Sequence, residues 1–128
     1  MPLVKVEIVE GKTAEYKKQL LHSIQEALVS VLQIDYDNRC QRLYELDADC
    51  FMRRAAKTDK YTLIEFTLFP GRSKEIKRKL MMETVRRLSE SNAIQASDIM
   101  IIINEPPLDN WCFNGEQGSD LNLQYKKE

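Results

Sequence analysis

Residues 3–17 read LVKVEIVEGKTAEYK and residues 63–77 read LIEFTLFPGRSKEIK, one phrase written twice at an offset of 60 residues. In the first writing Val4, Val6 and Ile8 alternate with Lys5 and Glu7, the period of a strand with one buried face. Ile64, Phe66 and Leu68 repeat it in the second. Gly11 and Gly71 then break the strands, and Thr13 and Ser73 stand where a hydroxyl can cap the helix that follows. Tyr16, Leu20, Ile24, Leu28 and Val31 recur at helical spacing, as do Ile76, Leu80, Thr84 and Leu88, so each helix offers one apolar stripe to lay on a sheet.

The correspondence runs without a gap over residues 2–45 and 62–105, with eight identities in 44 positions: Leu3/Leu63, Gly11/Gly71, Glu15/Glu75, Lys17/Lys77, Leu20/Leu80, Leu28/Leu88, Ile34/Ile94 and Glu45/Glu105. Ordered punctuation (glycine, base, hydroxyl, helix) sets it apart from chance identity. Ile99–Ile103, a solid apolar run, predicts a strand covered on both faces. Its counterpart around Arg39–Leu46 is more polar. The chain therefore reads as α/β (α+β): two tandem βαβ units forming a four-stranded sheet with two helices on one face. The expected organisation is one domain over residues 1–128, with copy one at 2–45, a linker at 46–60, copy two at 62–105 and a C-terminal tail at 106–128. Pro106, Pro107, Asn114, Gly115 and Gly118 make that tail rich in turns. The sheet face without helices must be buried, and self-association is the expected means. If a pseudo-twofold axis relates the copies, strands 1 and 3 run antiparallel side by side, and Pro2 falls beside Phe69–Arg72.

At 128 residues the chain can bury a real core, and 43% hydrophobic with 30% charged residues excludes disorder. Nineteen basic against 20 acidic residues, net charge -1, argues against a nucleic-acid partner. Lys17-Lys18 and Lys77-Arg78-Lys79 read as solvated helix faces. No apolar run approaches the roughly 20 residues of a membrane helix, and Lys5 and Glu7 interrupt the only apolar stretch near the amino terminus. Cys40, Cys50 and Cys112 have no C-x-x-C spacing and read as reduced thiols, so a cytoplasmic protein is expected. His22, the one histidine, has no second His or nearby Cys with which to hold a metal.

Six short motifs then combine: Pro2-Leu3, Glu10-Gly11-Lys12-Thr13, Asn38-Arg39-Cys40-Gln41, Arg72-Ser73-Lys74-Glu75, Ser97-Asp98-Ile99 and Asp109-Asn110-Trp111-Cys112-Phe113. Together they resemble the tautomerase superfamily, in its fused double-βαβ branch, and within it the pattern of the malonate semialdehyde decarboxylases. The resemblance implies a tautomerase-like fold, a homotrimer, and an enzyme without a cofactor whose catalytic group is the amine of Pro2 once Met1 is removed. It implies that Arg72 binds a small carboxylate substrate, and that Trp111 and Phe113 wall the site and desolvate the proline. The pattern is broken twice. Pro70 stands where a second arginine is expected. Asn38 stands where an aspartate is expected, with Asp37 one residue away.

The chemistry also follows from the residues. An amino-terminal proline is a secondary amine held in a ring, and an unperturbed α-amino group titrates near pH 7.7–8.0. Burial and a nearby cation both favour its neutral form, making a base at neutral pH. Arg72 opens a helix, where free N–H groups and the dipole already favour an anion that a guanidinium can grip. Keto–enol tautomerisation of a small acid is the expected activity. A decarboxylase or hydratase of 3-oxo acids, with Pro2 protonated, and a non-catalytic trimeric scaffold stand beside it.

Overall fold

Strand β1, Leu3–Val9, follows from the opening alternation, with Val4, Val6 and Ile8 buried and Lys5 and Glu7 on the opposite face. The computed structural model describes residues 2–128; Met1, and with it the expected removal of that residue, lies outside the described residues. Gly11 and Gly71 turn the chain at φ 104° and 100°, a region open to glycine at little cost. Helix α1, Ala14–Leu32, and helix α2, Lys74–Asn92, begin as the hydroxyls require: Thr13 Oγ1 accepts from the Tyr16 amide at 3.1 Å and Ser73 Oγ from the Ile76 amide at 3.2 Å. Both end at a left-handed residue, Gln33 and Ala93, again 60 residues apart. Strands β2 (Gln41–Leu46), β3 (Thr62–Thr67) and β4 (Ile99–Asn104) complete the units. A short hairpin, β5 (Cys112–Phe113) and β6 (Glu116–Gln117), turns on Asn114-Gly115, both with positive φ, as a two-residue loop demands.

The sheet order is β2-β1-β3-β4, with β1 and β3 antiparallel at the centre and each edge strand parallel to its neighbour. Leu3 pairs with Thr67, so the start of β1 lies beside the end of β3, as the repeat predicts. Leu20, Ile24 and Leu28 of α1 and Ile76, Leu80 and Leu88 of α2 bury against Val6, Ile64 and Phe66 of the sheet. Truncating one such leucine to alanine typically costs about 2–5 kcal/mol, so these stripes hold the layers together. Between the helices, Ser23 Oγ donates to Ser91 Oγ at 2.8 Å, and Asn92 Nδ2 donates to the Tyr16 carbonyl at 3.0 Å.

The repeat also carries a matched ion pair. Lys17 reaches Glu45 at 2.7 Å and Lys77 reaches Glu105 at 2.8 Å, each tying a helix to the end of its unit's second strand. Those lysines and Arg78, paired with Glu75, lie on partly or fully exposed helix faces. The face without helices is mixed: Lys5 and Glu65 pair at its centre at 3.5 Å, while Tyr44, Met100 and Ile102 are exposed toward its edges. Here the chain differs from the reading of Ile99–Ile103 as a strand covered on both sides. Ile99, Ile101 and Ile103 pack on the core, but Met100 and Ile102 have no cover within one chain. Among the described residues no helix is long and apolar enough to cross a membrane. The three cysteines are free, and no cluster of three or more His, Cys, Asp or Glu residues suited to a metal occurs among the described residues.

Candidate active site

Arg72 is held by local structure on three sides. It follows the Gly71 turn out of β3, its Nη1 donates to the Phe69 carbonyl at 3.3 Å, and its guanidinium carbon lies 5.0 Å from the centre of the Tyr125 ring. Only 6% of it is exposed, and its Nε meets no hydrogen-bond partner among the described residues. Burial pulls the guanidinium below its ordinary range, against the opposing pull of Tyr125 and Glu105. This leaves a buried cation with a donor free to meet an anion.

Pro2 is buried at the start of β1 and lines the same pocket as Arg72, a cavity of about 350 Å³. Leu68 and Phe69, which follow β3, and Leu32 and Ile34, at and just past the end of α1, form its apolar part. Asn38 lines it too, half-buried, with its backbone carbonyl fixed by Gln25 Nε2 at 3.2 Å. Asp37 is directed elsewhere: its side chain is 90% exposed and meets Arg39 at 3.4 Å. The residues that line the pocket, among those described, include no aspartate or glutamate.

Trp111 and Phe113 share one side, as their alternation implies, and stack at 5.6 Å with an interplanar angle of 17°. They do not border the cavity within one chain. Both rings instead meet Phe69 edge-on, at 5.0 and 5.4 Å, and Phe69 forms the wall. Trp111 is fixed there by donating from Nε1 to the Pro106 carbonyl at 3.0 Å.

The end of the tail was missed by the sequence reading. Gln124, Tyr125 and Lys126 line the pocket. Tyr125 donates its hydroxyl to the Pro70 carbonyl at 2.7 Å and packs its ring on Phe69 at 5.2 Å, and the Lys127 carbonyl accepts from the Ser73 amide at 2.7 Å. That last bond revises the expectation of free N–H groups at the opening of α2, because the chain's own tail takes one of them. The one usable signal was the aromatic Tyr125 inside an otherwise polar terminus.

The pseudo-twofold counterpart of this pocket is closed by its own chain. At the offset of 60, Lys12 stands for Arg72, Val9 for Phe69 and Asp98 for Asn38. Lys12 Nζ donates to Asp59 O at 2.7 Å and to Val9 O at 3.4 Å, so it is satisfied internally. Asp98, 1% exposed, accepts from the Thr58 amide at 2.9 Å, from Thr58 Oγ1 at 2.5 Å and from Gln95 Nε2 at 3.1 Å. The linker between the copies thus fills one site, and the other stays open.

A family model described as "Tautomerase enzyme" matches residues 37–114, and a second with the same description matches residues 2–53. Among solved structures, FG41 malonate semialdehyde decarboxylase inhibited by 3-bromopropiolate is 21% identical at a TM-score of 0.82, over 95% of this chain and 99% of that one. Native fused 4-OT is 19% identical at a TM-score of 0.85, over 94% and 99% of the two chains. A wild-type fused 4-OT described as an asymmetric trimer is 18% identical, with the same TM-score and coverage. At these identities the likeness is one of fold.

Proposed function

The chain belongs to the tautomerase enzyme family, and from that premise we propose that it is a keto–enol tautomerase of small carboxylate-bearing acids, acting through the amine of Pro2 after Met1 is removed. The observation that carries this reading is that Pro2 and Arg72, from different copies of the repeat, line one pocket of about 350 Å³. The roles follow from their chemistry. Arg72 grips the substrate carboxylate. The neutral amine takes the proton of the enol hydroxyl and returns a proton to the neighbouring carbon, so atoms and charge balance and the amine is regenerated. Leu68 and Phe69, with Trp111 and Phe113 behind, limit water near the amine, and Asn38 can donate to the developing oxyanion.

Decarboxylases of malonate semialdehyde share the fold, and that chemistry calls for a protonated Pro2. The pocket argues against it. A protonated amine would have Arg72 and Lys126 as neighbouring residues and no carboxylate among the lining residues to hold its charge. Trimers occur among fused 4-OT structures, and a homotrimer accounts for Tyr44, Met100 and Ile102 on the uncovered sheet face. We treat residues 1–128 as one domain of this assembly.

The test is ketonisation of the enol of phenylpyruvate by protein whose amino terminus mass spectrometry shows to be Pro2. Pro2→Ala, which leaves an unconstrained primary amine, is expected to remove most of the activity. Unchanged turnover would overturn the proposal. Titration of 15N-labelled Pro2 is expected to show a neutral amine at pH 7; a pKa well above 8 would assign the acid-catalysed alternative instead.

A further inference from the structure

The tail that closes over the pocket brings a second cation to it. Lys126 is half-buried and lines the cavity together with Arg72. Its position is set by the residues on either side: Tyr125 through its hydroxyl bond to the Pro70 carbonyl and its ring against Phe69 and Arg72, and Lys127 through its carbonyl bond to the Ser73 amide. A segment pinned on both sides of one residue loses little further backbone entropy when that residue binds something, leaving only the side chain to be ordered.

Lys126 has no ion pair or hydrogen bond from its side chain among the described residues, unlike Lys17 and Lys77, which are paired with Glu45 and Glu105. It also borders a groove on its other side that contains Glu83. That carboxylate is already held by Arg86 and Arg87, and the two arginines, chiefly through the hydrogen bond from Arg86, pull it below the ordinary glutamate range. Glu83 is therefore a poor competitor for Lys126. With no acidic residue lining the pocket, a bound monocarboxylate would satisfy Arg72 and leave one positive charge without an anion. A second anionic group on the ligand can meet that charge at close range, where partial burial strengthens the attraction over its value in bulk water.

We infer that Lys126 is a specificity-determining residue: it holds the second anionic group of a small dianionic acid whose first carboxylate rests on Arg72. This inference rests on the reading of the pocket as a carboxylate site. A Lys ammonium on a flexible stem suits a second group whose position varies between ligands, whereas the fixed fork of Arg72 sets the first.

The test uses a matched pair of unreactive acids, fumarate and crotonate, in which a carboxylate is exchanged for a methyl group. Their binding to the full chain is measured by calorimetry at low ionic strength, with circular dichroism as a check on folding. The wild-type protein is expected to bind fumarate at least about tenfold more tightly than crotonate, the scale of one charge-assisted contact. Lys126→Gln is expected to bring fumarate down to the level of crotonate while crotonate itself binds unchanged, and Lys126→Arg to retain the preference. A fumarate preference that survives Lys126→Gln, or equal binding of both acids to the wild type, would refute the inference. In that case Arg72-dependent binding of crotonate would leave the carboxylate reading standing. Failure of both acids to bind the wild type would bring both readings down.

Discussion

Replacing Arg72 with methionine separates what the residue does for binding from what it does to the fold, because stability is expected to change little and binding to fall. In the free protein Arg72 is 6% exposed, and its guanidinium has one long bond to the Phe69 carbonyl at 3.3 Å and an Nε without a partner among the described residues. An unsatisfied buried donor costs about 1–3 kcal/mol. Against this, Arg72→Met gives up a weak hydrogen bond, about 0.5–1.5 kcal/mol, and the cation–π contact with Tyr125, about 0.5–1 kcal/mol. The balance runs from about 1.5 kcal/mol lost to about 2 kcal/mol gained and centres near no change, where loss of a well-paired buried cation would cost about 3–5 kcal/mol. The depressed pKa of the guanidinium favours the stabilising side of that range, since it means that folding disfavours the charge. For a carboxylate ligand nothing offsets the loss: a charge-assisted contact worth about 1.5–3 kcal/mol disappears, so binding weakens roughly 10- to 150-fold. Urea unfolding and calorimetric titration with crotonate measure the two quantities on the same protein. A stability loss above about 2 kcal/mol together with unchanged binding would show Arg72 to be a structural ion and refute the reasoning.

Asp98→Ala should cost about 2–4 kcal/mol in urea unfolding, because Thr58 and Gln95 lose the carboxylate that takes their hydrogen bonds. Burial alone would raise the Asp98 pKa, but the bonds from Thr58 and Gln95 and the charge of Lys57 outweigh it and hold the group below the ordinary aspartate range. The folded state thus binds fewer protons than the unfolded one. The contribution is complete above about pH 4 and fades as pH falls through the lower folded value, and Asp98→Ala should lack that part of the acid dependence. On the uncovered sheet face, Ile102→Lys should lower the assembled state toward a 15.0 kDa monomer in sedimentation at micromolar concentration while leaving the helical signal intact. A trimer unaffected by this change would place its interface elsewhere.

Much of the architecture is written locally. Alternation of Val4, Val6 and Ile8, the glycines at 11 and 71, the hydroxyl caps and the 3.6-residue stripes each depend on neighbours within one turn or one strand, so they survive being read as a string. The offset of 60 then implies an antiparallel β1–β3 pair, and with it the approach of Pro2 to Phe69–Arg72, because two equal units that share a sheet edge are most simply related by a twofold axis. What the string does not carry is which of two equivalent sites stays open. Lys12 and Arg72 hold corresponding places, yet the linker carbonyl of Asp59 satisfies the lysine while the arginine waits. Likewise Asn38 faces the pocket and Asp37 faces solvent, a choice made by how the turn after α1 is held by Gln25. Trp111 and Phe113 act through Phe69, and Tyr125 closes on Pro70 across 55 residues. Such contacts depend on packing between segments that are distant in sequence. Their energies come from surfaces that exist only once the sheet and helices have assembled, so no local pattern announces them.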